Sequence, residues 1–335
     1  MMNHSLKNQC KVKPGTIIEG KWYKKTYTII KELGFGANGI VYLAKYNHVQ
    51  VALKMSDNGM SITSEVNVLK SFAKVQGSAL GPSLIDVDDW QSTNGQISFY
   101  VMEYIEGPDF LSFMSQKGNS WLPVLVLQLL ADLEKLHQNG WIFGDLKPEN
   151  LIVTGPPSRI RCIDVGGTTL KGRAIKEFTE FYDRGYWGLG SRKADPGYDL
   201  FAVAMIMINA VYPNRFNKKE GGILQLRTQI RQSRTLAKFE PVILHALEGD
   251  YQSANEMRMG LLQVMDKPLT DTKPVSPKQP VQNKPRHYTS KQSRMNSRQM
   301  KQRQHKKKKS RSLETVIILI VVFVFYAFYI FGELI

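Results

Sequence analysis

The chain has 335 residues, 42% of them hydrophobic, enough to bury the core of one large domain or two small ones. Its formal net charge of +16 is not spread evenly: residues 267–312 hold fifteen Lys or Arg against the single Asp271, so +14 sits there and +2 on everything else. That excludes a body that is basic all over and leaves any electrostatic partner to the basic segment.

The first twenty residues lack the apolar run of a secretory signal, and residues 1–26 read as an N-terminal extension that is not exported. From Tyr27 the pattern predicts strand, glycine turn, strand, with strands at 27–30, 40–44 and 51–54. The turn Gly34-Phe-Gly36-Ala-Asn-Gly39-Ile-Val41 has glycines where backbone amides can approach phosphates with no side chain in the way. Lys54 follows in Val51-Ala-Leu-Lys54, on the next strand, where an amine can hold α- and β-phosphates. Eleven residues on, Glu65 falls within a predicted helix at 61–72; an ion pair between strand and helix would fix the lysine and keep it charged. Cys10 and Cys162 stand far apart, with no metal-ligand spacing, which fits a reducing compartment.

Phe99-Tyr-Val-Met102-Glu103-Tyr104-Ile105-Glu-Gly107 ends a β-rich part, and beyond Gly107 the chain turns helical. Leu125, Leu129, Leu133 and Leu136 recur at the spacing of one buried helix face, and a second apolar helix is predicted at 200–211. Residues 266–315 form a linker carrying Pro268, Pro274, Pro277, Pro280 and Pro285 among their charges, with too little apolar surface to offset the entropy of ordering. Residues 316–332 are seventeen uncharged, mostly large and apolar positions, about 26 Å of helix at about 1.5 Å per residue, which predicts a transmembrane helix at the short end of the range. The lysines and arginine before it put that side in the cytoplasm, leaving 333–335 as an outer tail. The localisation expected is therefore a single-pass cell-membrane protein with its folded domain cytoplasmic.

The most specific stretch is Trp141-Ile-Phe-Gly-Asp145-Leu-Lys147-Pro-Glu-Asn150-Leu-Ile-Val, followed by Ile160-Arg-Cys-Ile-Asp164-Val-Gly166. With the glycine turn, Lys54 and Glu65, it resembles the Hanks-type Ser/Thr protein kinases over about residues 27–265. The resemblance implies a two-lobed α+β kinase fold that uses ATP and Mg²⁺ on protein substrates. It implies that Asp145 takes the hydroxyl proton, Lys147 steadies the γ-phosphate, and Asn150 and Asp164 hold the metal. Gly34, Gly36, Gly39, Val41, Lys54 and Glu65 would serve the nucleotide, as would backbone groups at Glu103 and Ile105, with Met102 behind the adenine. Asp199 resembles the family Asp that bonds the catalytic-loop backbone. In its arrangement of domain, basic linker and terminal anchor the chain is similar to short kinases of spore-forming bacteria, which implies a role around sporulation.

The pattern departs from the family in places. His-Arg-Asp is Phe143-Gly144-Asp145 and Asp-Phe-Gly is Asp164-Val165-Gly166, so a larger residue at 143 beside a smaller one at 165 suggests compensated packing. The Arg that would pair with an activation-segment phosphate is absent, although Thr168, Thr169, Thr179 and Tyr182 offer hydroxyls. Ala-Pro-Glu is missing from 178–186, and its partner Arg from 251–255.

Three readings of 267–312 remain open: a linker that orients the helix, adhesion to anionic lipid, and nonspecific binding of DNA phosphates on which several copies gather. Candidate contacts are Lys301, Arg303, Lys306, Lys307, Lys308, Lys309 and Arg311. Two rival functions are a membrane-anchored DNA scaffold with a silent kinase fold and a small-molecule phosphotransferase, the latter opposed by Lys147-Pro148-Glu149.

Overall fold

The β-branched and aromatic alternation after Tyr27 does form strands. In a computed structural model that describes residues 10–36, 38–74, 80–93, 95–219 and 221–266, the order begins β1 (Ile17–Glu19), β2 (Thr26–Gly36), β3 (Gly39–Tyr46) and β4 (Val49–Ser56). Helix α1 (Gly59–Lys74), β5 (Leu84–Ser92) and β6 (Gly95–Glu103) follow, and the six strands make one antiparallel sheet ordered β1-β2-β3-β4-β6-β5. Alternation sends Tyr27, Ile29, Tyr42, Leu53, Met55 and Phe99 to one face, where they form a separate small core. Ala52, Tyr100 and Met102 point the other way, into a core shared with Ile62, Val66 and Leu69 of α1. The lobe begins earlier than the sequence predicted: β1 pairs with β2, and Cys10 and Ile18 are buried in the small core. A three-residue strand carries too little periodicity to be read in advance.

The second lobe opens with α2 (Phe110–Lys117) and α3 (Trp121–Gln138). Leu125, Leu129, Leu133 and Leu136 of α3 are all buried, as their spacing requires. The short strands β7 (Trp141–Ile142), β8 (Leu151–Thr154), β9 (Arg159–Cys162) and β10 (Thr169–Leu170) form two antiparallel pairs, β8 with β9 and β7 with β10, that carry the loops of the site. Then come α4 (Arg184–Trp187), α5 (Pro196–Val211), α6 (Ile223–Gln232), α7 (Arg234–Ala237), α8 (Glu240–Glu248) and α9 (Ala254–Asp266). The apolar helix predicted at 200–211 starts at Pro196, with Asp195 capping the Tyr198 N–H, and it is buried on every side from Tyr198 to Ala210.

Among the described residues no helix is long and apolar enough to cross a membrane. The predicted span at 316–332 and the basic segment 267–312, with its seven candidate contacts, lie outside the described residues.

Candidate active site

The turn between β2 and β3 pairs Gly34 with Val41 and Gly36 with Gly39, so the glycines sit at the open end of a hairpin. At Gly39, φ is +134° and a Cβ would meet the Met55 carbonyl oxygen at 2.1 Å, so only glycine fits. A Cβ at Gly34 or Gly36 would meet nothing within 4 Å, which leaves their backbone facing open space. Register sets Val41 opposite Lys54, and Lys54 opposite Tyr100 on the next strand.

Lys54 Nζ donates to Glu65 Oε2 at 2.6 Å and lies 3.9 Å from Asp164 Oδ1. Glu65 is buried, as is a second donor to it, Tyr100, whose hydroxyl bonds the same oxygen at 2.8 Å. Burial and the neighbouring Glu65 carboxylate push the Tyr100 phenol well above its ordinary range, so it stays a donor. A lysine paired this way is held in place beneath the glycine turn.

Across the cleft, Asp199 is fully buried in α5 and accepts from the backbone N–H of Phe143 at 2.8 Å and of Gly144 at 2.9 Å. His137 of α3 shares the carboxylate at 2.9 Å. These bonds fix the turn that presents Asp145. Lys147 Nζ donates to Asp145 Oδ2 at 2.5 Å and reaches Thr179 Oγ1 at 3.4 Å. Asn150 Nδ2 donates to the Asp145 carbonyl at 3.1 Å, which turns its amide oxygen elsewhere. Asp164 is half exposed and accepts the Gly166 N–H at 2.9 Å.

One cavity of about 540 Å³ is lined by Gly34, Gly36, Gly39, Val41, Lys54, Glu103, Ile105, Asp145, Lys147, Asn150 and Asp164. Of the residues predicted for nucleotide or catalysis, only Glu65 is behind the wall rather than on it, where it holds Lys54. The volume suits a nucleotide-sized ligand. Apolar Val41, Ala52, Met102 and Ile152 make one part of its lining and the lysines and carboxylates another. A base would therefore go to the first and a phosphate chain to the second. Asn150 and Asp164 offer the hard oxygen ligands that a divalent cation takes together with phosphate oxygens, so the residues fit both groups.

Several functional residues were not read from the sequence. Arg161 of β9 forks onto both oxygens of Glu103, at 2.9 Å each, and onto the Gly81 carbonyl at 2.8 Å; this clamp holds the end of β6 to the second lobe and keeps the Glu103 carboxyl below its ordinary range. The partners are 58 residues apart, and nothing local signals the pair. In place of the absent Ala-Pro-Glu, the fully buried Asp183 takes Arg192 at 2.8 Å, the Tyr198 hydroxyl at 3.0 Å and the N–H groups of Gly185 and Tyr186. The hydroxyls expected as phosphate acceptors need correction. Thr168, Thr169 and Tyr182 are buried, and Thr179 faces Lys147, so it belongs to the site rather than to a free surface.

This constellation and fold define a protein kinase: residues 27–312 match the protein kinase domain family, and the chain belongs to it. It is 59% identical over 278 residues to the Serine/threonine-protein kinase YabT of Bacillus subtilis, covering 82% of each chain, and it is a Ser/Thr protein kinase. It is 27% identical over 204 residues to the kinase PknD of Mycobacterium tuberculosis, covering 58% of this chain and 26% of that one. The solved structure of vaccinia related kinase 3 resembles it with a TM-score of 0.57 at 17% identity, over 78% of this chain and 93% of the other, which concerns the fold alone.

Proposed function

We propose that the protein transfers the γ-phosphate of ATP to Ser or Thr hydroxyls of cytoplasmic proteins, with Asp145 as the proton acceptor. The observation that carries this reading is one cleft lined by Lys54, which Glu65 holds from behind, and by Asp145 and Lys147, whose amine also reaches Thr179. As the hydroxyl oxygen bonds to phosphorus and the bond to the leaving ADP oxygen breaks, the hydroxyl proton passes to Asp145. Lys147 would lie beside that oxygen and steady the moving phosphoryl group, while Lys54 holds the α- and β-phosphates. Mg²⁺, when bound with the nucleotide, supplies neutralising charge, and Asn150 and Asp164 would hold it. Asp145→Asn should lower kcat about 10²–10⁴-fold with ATP affinity within a few fold of wild type. An unchanged kcat would remove Asp145 from the mechanism.

The finer part of the proposal concerns residues 267–335. Residues 316–332 would anchor the chain in the cell membrane, and 267–312 would bind duplex DNA through phosphates, gather several copies on one duplex and raise phosphorylation between them. Its support is the reach of the charge, which begins more than thirty residues before the span, beyond what orienting a helix requires. Tyr288 is the one aromatic of the segment, so base stacking contributes little and binding should be steeply salt-dependent. A place in sporulation follows the resemblance to kinases of spore-formers. Deleting 267–312 should abolish duplex binding at about 50 mM salt. Undiminished DNA affinity contradicts the proposal, and retained binding to anionic vesicles alone favours the lipid reading.

A further inference from the structure

Residue 144 is a glycine with φ +84°, a conformation L side chains rarely adopt. A Cβ there would meet the Gly167 carbonyl oxygen at 2.7 Å and Ile175 Cδ1 at 3.5 Å. The place beside Asp145 at which a long cationic side chain would begin is therefore closed, and an isoleucine from the activation segment sits against it. Ile175 is buried with Ile142, Ala194 and Tyr198 in an apolar cluster separate from both larger cores. A short ribbon delivers it. Gly172 N–H bonds the Ala194 carbonyl at 2.7 Å, Ala194 N–H bonds Arg173 at 2.7 Å, and Ile175 N–H bonds Arg192 at 3.0 Å.

The neighbouring Lys176 ties the same segment to two other parts of the site. Its Nζ lies 3.2 Å from the Thr168 carbonyl and 3.3 Å from Ser64 Oγ, next to Glu65 on α1. Four residues past Ile175, Thr179 meets Lys147. Thr168, Thr169 and Tyr182, whose hydroxyls would otherwise be candidate acceptors, are closed off from solvent.

We infer that Ile175 is a positioning residue for phosphoryl transfer: seated against Gly144, it holds the activation segment where Thr179 meets Lys147, so an apolar contact does what a phosphate and an arginine would do electrostatically. The driving term is burial, which needs no prior phosphorylation and is insensitive to salt. The wild-type kinase is then competent as translated, and control falls on how copies and substrates are brought together rather than on this segment.

The test uses the whole 335-residue chain, with untreated wild type over an Asp145→Asn blank as the reference activity. Wild type stripped by a broad-specificity phosphatase, itself then removed, should keep its kcat within about twofold. Ile175→Ala should lose about tenfold or more in kcat with the KM for ATP nearly unchanged, because a misplaced segment spoils alignment and not nucleotide binding. Ile175→Leu, which keeps a δ-methyl that can reach Gly144, should recover most of the loss. A thermal melt of each variant separates misplacement from unfolding, and the phosphatase arm decides independently should Ile175→Ala fail to fold. Loss of activity on dephosphorylation, or a folded Ile175→Ala with wild-type kcat, overturns the inference.

Discussion

Glu65 is a carboxylate with almost no contact with water, and it is stable there because Lys54, Tyr100 and Ser61 all donate to it. Removing the lysine strands that charge, and an uncompensated buried carboxylate typically costs about 3–5 kcal/mol. Lys54→Met should therefore destabilise the protein by about that amount in chemical denaturation, and adding Glu65→Gln should recover much of it. A loss under about 1 kcal/mol for the single variant would mean that the pair is less dry than it looks. At this scale the sequence was informative, because the spacing of Lys54, Glu65, Asp145, Asn150 and Asp164 follows a known order. It was silent on Tyr100, which reads only as one more strand aromatic, and on Arg161, whose partners the fold alone brings near.

Among the elements, the strand and helix assignments with strong periodicity survived, and those with weak periodicity were missed. The leucines of α3 and the alternation of β2 to β4 each repeat several times, whereas β1 spans three residues and β10 two. The missing Ala-Pro-Glu looked like a loss, yet Asp183 with Arg192 and Tyr198 anchors the same stretch from different positions. Phe143 and Val165 are both buried in the larger core. If the larger residue at 143 fills what the smaller one at 165 vacates, Phe143→His should lower the melting temperature. Adding Val165→Phe should then restore it in part. Simply additive losses in the double variant would show that the two sites are packed independently.

For the whole molecule, the phenols make an alkaline limit. Burial raises the titration of Tyr27, Tyr42, Tyr100, Tyr182 and Tyr198, five side chains of the folded lobes, and that of Cys10 to about 11. For each, the folded state favours the neutral form more than the unfolded state does, so the stability gained is present below the unfolded pKa, about 10 for tyrosine, and is lost as pH rises above it. Melting temperature should be flat from pH 7 to about 9 and fall steeply beyond about 10, and Tyr100→Phe should soften that fall. Persistence of the fold through pH 11 would contradict the burial of these groups. The charge segregation seen in the sequence bears on partners and not on this core, since +14 of the +16 lies in residues 267–312.

The central claim is a Ser/Thr phosphotransfer by the cleft between Lys54 and Asp145, and the most direct measurement is the identity of the product. Whole-chain protein incubated with γ-labelled ATP, Mg²⁺ and a generic protein substrate should yield phosphoserine and phosphothreonine on acid hydrolysis. The Asp145→Asn protein should give only background. Label confined to phosphotyrosine, or equal labelling by the Asp145→Asn protein, would contradict the account.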